Sequence, residues 1–271
     1  MATFLFENRP LYYEEHGVGR PLIVLNGIFM SCASWAAFAP GFSQHCRLIL
    51  LDLLDQGRSA KMDGEYTQAL QVRAVAALMD HLQLDQADLM GISYGGEVAL
   101  QLAVTHPQRI RRLVLSNTAA YTSDWLRDIG HAWEYAFASR DGHQFFKTCI
   151  PIVYSPQFYE ANYAWASARE ELFVRAFSPE VYDAFARLTR SAETHDVRSK
   201  LGAITAPTLV ISSEMDYVTP PYQQAELAAR IPNASHLRIE GAGHAVMYEK
   251  PIAFASVVLG FLMADTDIQV L

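Results

Sequence analysis

Short apolar runs alternate with stretches of helical periodicity along this chain, and that alternation restricts its fold more than any other feature. Leu22 to Leu25 ends at Asn26-Gly27, and Arg47 to Leu53 ends in the polar turn Asp55-Gln56-Gly57-Arg58-Ser59. Gln71 to Leu84 has a helical period. Ala87 to Gly91 reads as the next strand, Glu97 to Thr105 as a helix stopping before Pro107, and Ile110 to Ser116 as another strand. The rhythm returns late, with strands expected at Pro207 to Ser212 and Ser235 to Glu240 and helices at Pro221 to Ile231 and Ile252 to Met263. Strands separated by helices need long crossovers and therefore pair in parallel. The expected class is α/β, with a mostly parallel, doubly wound sheet.

Between Ala119 and Leu201 the strand signals vanish, and the chain becomes helical and aromatic, with Trp125, Trp133, Phe137, Phe145, Phe146, Trp165, Phe173, Phe177 and Phe185 among its rings. The expected organisation is a core made of residues 1–118 and 202–271, with 119–201 inserted as a helical cap. Any one of these rings is more readily the glue of a small helical layer than a substrate contact. Together they suggest an apolar roof over a pocket.

Composition excludes several classes. With 271 residues, 51% of them apolar and 18% charged, the chain has ample material for a core of its own. A net charge of −8 lacks the basic footprint of a nucleic-acid binder. Cys32, Cys46 and Cys149 fit neither a disulfide framework nor paired metal ligands, so buried reduced thiols are expected. Pro21 to Cys46 has no Asp, Glu, Lys or Arg, yet Asn26-Gly27, Ser31, Ser34 and Pro40-Gly41 break it as a membrane span. No basic segment opens the chain as a signal peptide would, so a cytoplasmic address is expected and no membrane span.

Chemistry is concentrated at three places. Gly91-Ile92-Ser93-Tyr94-Gly95-Gly96 sits where a strand gives way to a helix. A serine on so sharp a turn has its hydroxyl exposed, its neighbours must be glycine for the backbones to approach, and the helix amides face developing negative charge. A serine hydroxyl needs a base, and the base needs an orienting group. His244, in Gly241-Ala242-Gly243-His244 just past the last strand, is the only one of the nine histidines so placed. Asp216 follows the strand at Pro207 to Ser212 by one short turn and is the preferred acid, with Glu214 competing.

These residues, in the order Ser, Asp, His, resemble the α/β-hydrolase fold family from about Leu11 to Ala264. The resemblance implies a cap after the sixth strand, the acid after the seventh and the histidine after the last. Leu25-Asn26-Gly27-Ile28-Phe29-Met30-Ser31 resembles the family's oxyanion loop, which usually begins His-Gly. It implies that the backbone N–H groups of Ile28 and Tyr94 form the oxyanion hole, with Asn26 and Gly27 in supporting roles. Gln56 departs from the usual Gly-x-Gly-x-Ser turn and has no chemical reading from sequence.

The implied activity is hydrolysis of a carboxylic ester or related acyl bond of a small apolar substrate through an acyl-serine intermediate. No metal or organic cofactor is expected, because no ligand cluster or phosphate loop is present in the sequence. An acyltransferase using a thioester donor, a carbon–carbon bond hydrolase and a ligand-sensing receptor that keeps the triad stay open. So do the acyl and alcohol groups and a homodimer.

Overall fold

A computed structural model describes residues 2–264; residue 1 and the tail 265–271, both expected in the core unit, lie outside the described residues. In chain order the elements are β1 (Ala2–Phe6), β2 (Arg9–His16), β3 (Pro21–Leu25), α1 (Ala39–Phe42), β4 (Arg47–Leu51), α2 (Gln68–His81), β5 (Ala87–Ile92), α3 (Tyr94–Thr105) and β6 (Ile110–Ser116). Helices α4 (Asp124–Ser139), α5 (Gly142–Cys149), α6 (Pro156–Ala161), α7 (Tyr163–Ala176) and α8 (Pro179–Ser191) come next. The chain then returns to the sheet with β7 (Thr208–Ser213), α9 (Pro221–Arg230), β8 (Ala234–Ile239), α10 (Val246–Glu249) and α11 (Pro251–Met263).

The strands form one sheet in the order β1-β2-β4-β3-β5-β6-β7-β8. All pairings from β4 to β8 are parallel, and β1 and β2 are antiparallel additions at one edge. The expected mostly parallel α/β sheet is therefore the observed one. Parallel strands covered on both faces need apolar side chains at every position, which is why β3 and β4 read as unbroken runs. Ile23, Leu25, Ile49, Leu51, Leu113 and Leu115 pack on one face with α2 and α3. Leu22, Val24, Leu48, Leu50 and Val114 pack on the other with residues of α1 and α11.

Two strands lie outside the expected set. In β1 only Phe4 and Phe6 are buried, a weak alternation at an open edge. The hairpin to β2 turns on Glu7 and Asn8, both at positive φ (48° and 62°), without the glycine that normally signals such a turn. Two helices begin earlier than their apolar periods suggest, α2 at Gln68 and α3 at Tyr94. The second shift leaves a single residue, Ser93, between strand and helix.

The stretch 119–201 holds α4 to α8 and, apart from an isolated bridge between Tyr121 and Asp196, no strand pairing among the described residues. It is tied to the sheet side by polar contacts. Arg187 of α8 makes a bidentate pair with Asp55 (2.6 and 3.1 Å), whose side chain is fully buried. Trp125 Nε1 donates to the Tyr217 carbonyl at 2.8 Å. Cys32, Cys46 and Cys149 are buried and unbridged. Among the described residues no helix is long and apolar enough to cross a membrane.

Helix α11 closes the second face through Phe254, Val258 and Leu262, with the Phe254 ring edge-on to Phe38 at 6.1 Å. Phe254→Ala is expected to cost about 3–5 kcal/mol of unfolding free energy, read by urea denaturation. A loss under about 1 kcal/mol would mean that α11 does not anchor this layer.

Candidate active site

Ser93 bridges β5 and α3 with φ 53° and ψ −121°, a conformation that side chains rarely adopt. Its surroundings hold it there. The Ser93 N–H donates to the Ser116 carbonyl at 3.0 Å, and its own carbonyl accepts from Gly96 N (2.8 Å), Glu97 N (3.1 Å) and Thr118 Oγ1 (2.8 Å). The glycines are a steric requirement. A Cβ on Gly95 would stand 2.3 Å from the Leu25 carbonyl oxygen, and one on Gly91 would stand 2.4 Å from that of Gly95. The Ser93 side chain lines a cavity and makes no hydrogen bond to protein among the described residues.

Asp216 is 2% exposed, just past the end of β7. Its Oδ1 accepts from the amides of Val218 (2.9 Å) and Thr219 (2.8 Å), and its Oδ2 from Thr219 Oγ1 (2.8 Å) and Asn117 Nδ2 (2.8 Å). His244 Nδ1 lies 2.9 and 3.0 Å from the two carboxylate oxygens. A carboxylate can only accept, so the imidazole proton sits on Nδ1, and Nε2 is left with a free lone pair. Glu214, the competing acid, is exposed and accepts from the Gly241 amide instead (2.9 Å). The loop carrying His244 is fixed by Glu249, which accepts from the amides of Gly243 (3.0 Å) and Ser155 (2.9 Å). Among the described residues no hydrogen bond joins Ser93 to His244; such contacts commonly tighten only with substrate.

Ile28 and Tyr94 line the same cavity as Ser93, and among the described residues neither backbone N–H has a protein acceptor. The loop that carries Ile28 is pinned from behind. Asn26 is fully buried, donating from Nδ2 to the Leu51 carbonyl and accepting from Trp35 Nε1, both at 2.8 Å. Gln56 donates from Nε2 to the Gly27 carbonyl at 2.9 Å and accepts from the Leu53 amide at 3.2 Å. That bridge is the physical account of Gln56: it ties the turn after β4 to the loop after β3.

Three residues at this site escape a sequence reading. Asn117 and Thr219 hold the Asp216 carboxylate, and nothing but their places after strands or in the acid's turn could have marked them. Glu97, in the first turn of α3, lines the cavity beside Ser93 although it is 4% exposed. Burial pushes its carboxyl up to about 8, against a smaller opposing effect of the hydrogen bond from Gln68.

A family model described as the alpha/beta hydrolase fold matches residues 20–251. A 2-hydroxymuconate semialdehyde hydrolase from Pseudomonas sp. (strain CF600) is 29% identical over 93% of this chain and 90% of its own. The crystal structure of an alpha/beta hydrolase enzyme from a Medee basin deep-sea metagenome library superposes with a TM-score of 0.96 at 42% identity, covering 99% of this chain and 100% of that one. The enol-lactonase from Burkholderia xenovorans LB400 superposes with a TM-score of 0.86 at 25% identity, over 97% of this chain and 100% of that one.

The buried Glu97 generates a pH-dependent prediction. The unfolded chain releases this proton near 4.5, whereas the folded protein keeps it to about 8. Between those values the folded state binds more protons, so this residue lowers stability as pH rises. The melting temperature of Glu97→Gln relative to wild type is therefore expected to climb from pH 4.5 to 8 and to level off outside that window. A constant offset across the range would show that Glu97 ionises normally.

Proposed function

The chain belongs to the α/β-hydrolase fold family, and on that premise we propose that it hydrolyses a carboxylic ester or related acyl bond through an acyl-Ser93 intermediate. His244 Nε2 takes the hydroxyl proton as Ser93 Oγ bonds to the carbonyl carbon, and the resulting oxyanion is held by the Ile28 and Tyr94 amides. The tetrahedral adduct collapses, the C–O bond to the alcohol breaks, and His244 returns the proton to the leaving oxygen. Water, deprotonated by His244, then attacks the acyl carbon and frees Ser93 and the acid. Asp216 keeps Nε2 facing the reaction and stabilises the imidazolium.

The observation that carries this reading is the His244–Asp216 pair, with every Asp216 lone-pair direction engaged by a donor, at the same end of the sheet as a strained, cavity-facing Ser93. In this reading 119–201 is the cap. It is joined to the oxyanion loop itself through Phe29, whose ring contacts Trp133 at 4.9 Å and Phe185 at 5.1 Å. A cap that moved would therefore drag the oxyanion loop with it.

A carbon–carbon bond hydrolase is the second reading, favoured by the relative named a 2-hydroxymuconate semialdehyde hydrolase. Asn26 takes no direct part in the chemistry of this reading, because both ends of its carboxamide are taken by Leu51 and Trp35.

Hydrolysis of p-nitrophenyl esters with acyl chains of two to twelve carbons tests the reading. Wild type should turn over with an optimum chain length, and Ser93→Ala should lose nearly all of that rate. Asp216→Asn should lose about 10² to 10⁴, because the amide favours the wrong imidazole tautomer. A Ser93-dependent burst that stalls would point to an acceptor other than water. Wild-type turnover by Ser93→Ala would contradict the assignment.

A further inference from the structure

Glu97 is a buried carboxyl in a cavity whose other walls include Ile28, Leu126, Trp133 and Val218. Among the described residues it makes no ion pair. Its one protein partner beyond the backbone is Gln68, whose Nε2 donates to Glu97 Oε2 at 2.6 Å. The direction of that bond is set by the residues behind it. Gln68 Oε1 accepts from Gln101 Nε2 at 2.5 Å, and the same Gln101 nitrogen lies 3.0 Å from His195 Nδ1. His195 Nε2 faces the Ala119 carbonyl at 3.0 Å, so the ring proton sits on Nε2 and Nδ1 must accept. Burial holds this histidine neutral, well below the usual imidazole range at about 4.

Gln101 therefore donates to both neighbours, to His195 Nδ1 on one side and to Gln68 Oε1 on the other, which leaves Gln68 Nε2 to donate to Glu97 Oε2. A carboxyl kept neutral by burial must then hold its proton on the other oxygen, Oε1, the one with no protein partner. The same cavity wall holds Glu134, with Oε2 paired to Arg190 at 3.0 Å and, among the described residues, Oε1 buried without a partner. Glu193 lines the cavity too, and Arg127 is already paired with Asp124. Such a wall disfavours a substrate arm that ends in a carboxylate.

We propose that Glu97 is a specificity residue, its Oε1 donating a hydrogen bond to an uncharged carbonyl oxygen on the substrate arm that enters this cavity. The inference rests on the acyl-Ser93 reading, which defines the cavity as the substrate site. A single donor in a largely apolar wall fixes the depth and rotation of that arm, and an arm lacking the oxygen leaves the donor unpaired.

Matched esters test it with the oxygen placed in either arm: methyl 4-oxopentanoate against methyl pentanoate, and 3-oxobutyl acetate against butyl acetate. The quantity read is the oxo-to-apolar ratio of kcat/KM, in which differences in folded fraction cancel. Wild type should favour the oxo ester of one pair by about tenfold. Glu97→Leu should lose that preference. Glu97→Gln should keep most of it, since a carboxamide can still accept from Gln68 and donate into the cavity. An unchanged ratio in Glu97→Leu, or a ratio lost equally in Glu97→Gln, would overturn the donor role. Hydrolysis of both pairs that survives Ser93→Ala would instead overturn the acyl-serine reading, and with it this one.

Discussion

Gly95 comes so near the end of β3 that a side chain on it would stand 2.3 Å from the Leu25 carbonyl oxygen and 2.7 Å from that of Asn26. This backbone contact lets α3 begin directly against the loop after β3. Ser93 is consequently forced to φ 53°, a cost of about 1–3 kcal/mol by the usual scale of such strain. The four hydrogen bonds that hold the Ser93 backbone offset it. The same approach puts Tyr94 and Ile28 in the wall of one cavity. The serine hydroxyl and both candidate oxyanion donors thus share a single steric cause.

Around that contact, buried polar groups work as positional ties. Asp52 is 1% exposed and accepts from the amides of Cys32 (2.7 Å) and Arg58 (2.8 Å), joining the loops after β3 and β4. Gln56 adds a bond from the same turn to Gly27, and its neighbour Asp55 receives Arg187 from α8. Glu249 joins the His244 loop to Ser155 of the inserted helices. Leaving Asp52, Asp55 or Gln56 unpaired would cost on the order of 1–3 kcal/mol, so the inserted helices and the loops after β3 and β4 are energetically linked. The aromatic rings add a second layer of linkage, since Phe145 contacts Phe29 of the loop after β3 as well as Phe173, Phe177 and Phe185 of the inserted stretch.

The parts of this arrangement visible in the sequence are those encoded locally. Ser93 is flanked by its required glycines, Asp216 follows a strand whose apolar run is plain, and His244 follows the alternating strand Ser235 to Glu240 in a glycine-containing loop. The parallel sheet was legible for the same reason. Gln56 and Asn117 were not, because what defines them is a partner 29 and 99 residues away in the chain. Glu97 looks in sequence like any polar residue in a first helical turn. Only the packing of Gln68 and Gln101 beside it reveals a buried carboxyl with one oxygen committed. The β1–β2 hairpin was missed because its turn uses Glu7-Asn8 and half of β1 faces solvent.

Covalent labelling tests the central claim most directly. A fluorophosphonate reacts only with a serine activated by its neighbours and is held by the oxyanion donors, so intact-protein and peptide mass spectra should show one adduct, on Ser93. Labelling should disappear in Ser93→Ala and slow markedly in Asp216→Asn, in which Asn117 and Thr219 still occupy the same pocket. An adduct on another residue, or none on a folded protein, would contradict the assignment of Ser93 as the nucleophile.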